Sequence, residues 1–166
     1  MSENRNILYR KVKGKSILNS YLEELNLIVR VKLSEKDLIP LEETEHLISR
    51  RKQISKSIPQ KKVKLKFEDK ARLYGYLNAL ESVRNGKIIL FTEYSKYCGA
   101  LLLNSFNDIN YDFSFDDEHS GIVSILSENL NDKLLLDFYE EDGSFFIEVE
   151  TQGHLWNCIF DHKIKD

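Results

Sequence analysis

At Asn85-Gly86 the hydrophobic period of this chain changes, from the three-and-four spacing of helices to the alternation and short apolar runs of strands. A chain whose helix and strand patterns are segregated in this way is not assembled from βαβ units. The segregation predicts an α+β protein, with helices mainly in the N-terminal half and an antiparallel β-meander in the C-terminal half. With 166 residues, 42% of them hydrophobic, a core can be buried without metal or disulfide support, and one domain spanning 1–166 is expected. Within it, a basic helical part covers about 1–86 and an acidic β-rich part about 87–166.

The clearest helical pattern is Leu73, Tyr76, Leu77, Leu80 and Val83, which predicts a helix from about Glu68 to Val83 that stops at Asn85-Gly86. Ile17, Tyr21, Leu25 and Ile28 predict another, capped by Ser16, with Gly14 as a break and Ile7–Lys13 as a strand before it. Its far end is blurred, because Leu27 to Leu33 also alternates like a strand. Pro40 opens a third helix, with Glu42, Glu43 and Glu45 early and Arg50, Arg51 and Lys52 late, the order a helix dipole favours. In Lys61–Lys66, valine and leucine share one face and lysines the other, the pattern of a charged edge strand or of an extended lead-in to the next helix.

Beyond residue 86, Lys87–Thr92 reads as a buried strand, Gly99–Phe106 as a strand or short helix, and Tyr111–Phe115 as an alternating segment. Gly121–Ser127, Lys133–Glu140 and Ser144–Thr151 form the meander. Asp142-Gly143 marks its last hairpin, because both residues tolerate a positive φ. His154–Phe160 closes the chain as a strand or a short helix.

Chemical motifs are missing. The chain has no GxGxxG, GxxxxGK[ST] or GxSxG sequence, and His46, His119, His154 and His162 have no ligand spacing. Cys98 and Cys158 stand far apart and outside any CxxC, so free thiols are expected. The N-terminus opens with charge and lacks the apolar core of a signal peptide, and the apolar runs are far too short to span a bilayer. These observations predict a cytoplasmic chain that is not an enzyme, with no cofactor, no metal and no membrane association.

The charge is distributed unevenly. Residues 1–86 hold 19 Lys and Arg against 11 Asp and Glu; residues 87–166 hold 5 against 16. Either the two parts neutralise each other within one fold, or the acidic part meets a basic partner. The candidate partner-binding residues are Asp112, Asp116, Asp117 and Glu118 in one acidic loop, with Tyr139, Glu140, Glu141 and Asp142 at the hairpin. Asp116–His119 also has the composition of a metal or acid–base site, but consecutive residues cannot all face one pocket. Trp156 is read as core, with an interface anchor as the alternative. The basic runs Arg50–Lys52 and Lys61–Lys66 leave a second reading open, contact with nucleic-acid phosphates, although no nucleic-acid-binding motif accompanies them.

The stretch from Gly121 to Trp156, an acidic meander ending in Gly-His-Leu-Trp, resembles the acidic β-hairpin region of small bacterial immunity proteins of contact-dependent inhibition and other polymorphic toxin systems. The resemblance lies in size, acidic strands and the absence of an active-site motif, and it covers about a fifth of the chain. It implies a cytoplasmic antidote that binds a cognate toxin domain, often a basic nuclease, and blocks its active site. It assigns no role to an individual residue.

Overall fold

The computed structural model describes residues 3–54, 58–110 and 121–164. Its elements are α1 (Glu3–Ile28), α2 (Leu41–Ile54), β1 (Gln60–Lys66), α3 (Lys70–Val83), β2 (Ile88–Phe91), α4 (Ser95–Cys98), β3 (Leu101–Leu103), β4 (Ile122–Ser127), β5 (Lys133–Glu141), β6 (Ser144–Gln152) and α5 (His154–Lys163). The protein is α+β as predicted. Six strands form one antiparallel sheet in the order β1-β6-β5-β4-β2-β3. Five of them come from the C-terminal part; β1, the lysine strand, crosses over to form one edge.

The N-terminus departs from expectation. Ile7–Lys13 is helical, and α1 runs unbroken through Gly14. An interior glycine costs a helix about 1 kcal/mol relative to alanine, but here it removes a clash. A Cβ on Gly14 would lie 2.3 Å from the carbonyl oxygen of Tyr97. Glycine lets α1 approach the backbone of α4, and the residue is a packing contact and not a stop. The alternation of Leu27–Leu33 forms no strand either; Val29 makes a single bridge to Ile109.

The other helices follow their sequence signals. Pro40 stands just before α2, and its carbonyl accepts the Thr44 amide at 2.9 Å. A 3₁₀ turn at Phe67–Asp69 leads into α3, which buries Leu73, Tyr76, Leu77 and Leu80. His154–Phe160 resolves as helix, within α5.

The main core lies between one face of the sheet and α1, α3 and α5. Tyr21, Leu25, Leu77, Leu80, Trp156 and Phe160 meet Leu90, Ile125, Leu134, Leu136, Ile147 and Val149 there, all 3% exposed or less. Trp156 is therefore a core residue, its ring 5.6 Å from that of Phe106, and the anchor alternative is ruled out by its burial. A smaller cluster on the opposite face, Ile89, Leu126 and Leu130 with Ile39 and Ala100, packs against Leu47 and Ile54 of α2. The β3 edge is closed, because Leu38 bridges Leu101 and the Ile39 amide donates to Ala100 at 2.8 Å.

Candidate functional site

Strand alternation sends every second residue of β5, β6 and β1 away from the main core. Register then aligns these residues in rows across the sheet. Leu135 faces Glu150, which faces Lys62; Asp137 faces Glu148, which faces Lys64; Tyr139 faces Phe146, which faces Lys66. The result is a mixed acidic, basic and aromatic surface on the side of the sheet where α2 packs, extending toward the β5–β6 hairpin.

The hairpin has the two-residue turn that Asp142-Gly143 signals. Both residues have positive φ, 52° and 74°, which match the twist of the flanking strands. Asp142, Glu140, Glu141 and Phe145 are exposed around it, Phe145 to 59%. Tyr139 stacks on Phe146 with ring centroids 5.8 Å apart, and the Lys64 ammonium sits 3.9 Å from the Phe146 centroid while pairing with Glu141. That hydrogen bond raises the Lys64 pKa.

Part of the charge asymmetry is thus satisfied within the fold. Lys62 pairs with Glu148 at 2.5 Å, Lys61 with Asp161, and Lys64 with Glu141. The sheet-edge lysines are mostly engaged by the acidic part, as the self-neutralising reading expects. Glu140 and Asp142 have no ion-pair partner among the described residues. Asp137 directly faces another carboxylate, Glu148; burial first, and then Glu148, raise its pKa against the opposing pull of Lys62. Like charges paired across strands are unfavourable.

Comparison with protein-family models, with curated proteins and with solved structures finds no match. Among the described residues, no group of three or more His, Cys, Asp and Glu side chains is placed to hold a metal ion, and no helix is long and apolar enough to cross a membrane.

Of the candidate residues, Tyr139, Glu140, Glu141 and Asp142 come together on one hairpin. Asp112, Asp116, Asp117 and Glu118 lie outside the described residues. Tyr139 is half-buried and Glu141 is ion-paired, so the most available groups at the tip are Glu140, Asp142 and Phe145. Sequence reasoning missed Phe145. It shares the strand face of Ile147 and Val149, as its spacing says, but at the tip the same face is exposed. Cys98 and Cys158 are free thiols; burial raises the Cys98 pKa to about 11, while Cys158 is exposed.

Proposed function

We propose that this chain is an inhibitory binding protein, an immunity protein in the sense the sequence resemblance implies, that occludes the active site of a cognate basic toxin domain. The observation that carries this reading is the hairpin tip, where the exposed Phe145 is flanked by Glu140 and Asp142, carboxylates without a cation of their own among the described residues. An aromatic ring ringed by charge has the composition of an interface anchor and its polar rim.

The surrounding surface supports the same reading. Toward the hairpin the outward face carries Asp137, Glu141, Glu148 and Glu150 beside Lys62, Lys64 and Lys66, and Asp142 in the turn and Glu140 on the reverse side add two more carboxylates at the same end. Excess negative charge concentrated beside an aromatic group speeds encounter with a basic surface and disfavours acidic ones. A domain that acts on phosphates must be basic around its site, which makes it a fitting partner.

The test is capture of partners from the source cells with the tagged full-length chain, with washes of rising salt and identification by mass spectrometry. One basic protein retained in stoichiometric amount, toxic when expressed alone and harmless when co-expressed with this chain, is the expected result. Recovery of nucleic acid alone, or a captured protein whose toxicity is unchanged by co-expression, refutes the reading.

A further inference from the structure

A second region of the same sheet face has the opposite charge, and it stands independently of the proposed function. Between the last turns of α2 and the outward side of β2, β4 and β5 lies a cleft of about 450 Å³, a volume typical of sites for small ligands. Phe91 and Leu126 provide an apolar surface within it. Four cationic side chains line it: Arg51 and Lys52 from α2, Lys96 from α4 and Lys133 from β5. The lining holds one carboxylate, Glu93, and that is already paired with Lys96 at 3.3 Å.

Arg51 is the unusual member. It is 6% exposed, yet its guanidinium donates only to neutral acceptors: the carbonyls of Leu130 at 2.8 Å and Asn131 at 3.2 Å, and Oε1 of Gln152 at 2.9 Å. Its Nε has no hydrogen-bond partner among the described residues. Among the described residues no carboxylate is in contact with it; Asp132 acts on it only at longer range, and burial lowers its pKa. A buried charge held by neutral groups is expensive unless a counter-charge stands close by. Lys133, on the opposite wall, has no ion-pair partner among the described residues either.

We infer that this cleft binds a small organic anion, with a carboxylate or phosphate group held by Lys52, Lys96 and Lys133 near the buried Arg51 and an apolar body resting on Phe91. The anion adds a nearby counter-charge for Arg51, which Asp132 supplies only at longer range, and the apolar surface distinguishes an organic anion from a simple inorganic one. A carboxylate and a phosphate share this chemistry, and the probes separate them.

The experiment titrates the full-length, isotope-labelled protein with phenyl phosphate, benzoate and neutral benzyl alcohol, following backbone amide shifts. Saturable shifts at Phe91–Lys96 and Lys133 with an anion are expected, with phenyl phosphate binding more tightly if the natural ligand is a phosphate and benzoate if it is a carboxylate. Lys133→Ala should weaken binding roughly tenfold, the size of one charge-assisted hydrogen bond lost. For the unmodified protein, rising salt should weaken it as well. Absence of saturable shifts at these amides with either anion, equal binding of benzyl alcohol, or affinity indifferent to both salt and Lys133→Ala would overturn the inference.

Discussion

The two faces of the sheet are made by the same strands, one residue out of phase, and they carry different kinds of energy. On the helix-covered face Val123, Ile125, Leu134, Leu136, Ile147 and Val149 are at most 2% exposed. On the other face the intervening residues include Ser124, Leu135, Asp137, Glu148 and Glu150, all only partly buried. The first face supplies apolar burial, which scales with area and dominates stability. The second face places two carboxylates opposite each other, which contributes little or nothing to folding. The exposed Phe145 and its cross-strand partner Glu140 continue the first face beyond the buried stretch, at the hairpin end. Stability and recognition are separated along the strands as well, between the covered stretch of the sheet and the hairpin end that runs past it.

The sharpest way to break this comparison is to truncate neighbouring leucines on β5. Leu136→Ala, on the covered face, should cost about 2–5 kcal/mol in urea unfolding. Leu135→Ala, one residue away on the other face, should cost about 1 kcal/mol or less, because its side chain is only half-buried. Equal losses would show that both faces are sealed.

Gly14→Ala comes next. Helix propensity alone favours alanine by about 1 kcal/mol. The clash with the Tyr97 carbonyl should reverse that sign and leave the variant less stable by about 1–3 kcal/mol. A stabilised variant would mean that α1 and α4 are not in close contact.

Asp137→Asn sharpens the comparison from the other side. Burial and the facing Glu148 raise the carboxyl above its ordinary value of 3.8, so in the acidic range the folded chain holds more protons than the unfolded one. Stability therefore falls as pH rises from about that value through the folded pKa, and stays lower above it. Removing the charge should stabilise the protein at neutral pH by about half a kcal/mol, the scale of one cross-strand pair, and the gain should vanish in acid. A destabilised variant at neutral pH would identify Asp137 as part of a favourable network. The smallest effect belongs to the tip: Phe145→Ala should change stability by no more than about 0.5 kcal/mol.

What could be read from the sequence follows from how local each cause is. The change of period at Asn85-Gly86, the α3 stripe and the Asp142-Gly143 turn depend on neighbours a few residues away, and they resolve as expected. Gly14 was misread because the atom that requires it, the Tyr97 carbonyl, is 83 residues distant in sequence. The alternation of Lys61–Lys66 identified an edge strand, but its pairing with β6, and hence its neutralisation by Glu148 and Glu141, depends on long-range register. Arg50, Arg51 and Lys52 look equivalent in a basic run. One signal separates them: Arg51 follows Leu47 by four residues and so shares the face that packs on the sheet. Phe145 carries the period of its buried neighbours, and the reach of the cover over the strand is not written in that period.

The most direct test of the division between the covered sheet and the hairpin end is the association rate of the captured basic partner with the wild-type chain and with a Glu140→Lys, Asp142→Lys double variant, at low and high salt. If the hairpin end is the interface, the variant should fold as stably as the wild type and associate at least about tenfold more slowly at low salt, with the gap narrowing as salt screens the field. Equal rates at low salt would contradict the assignment and move the interface elsewhere on the molecule.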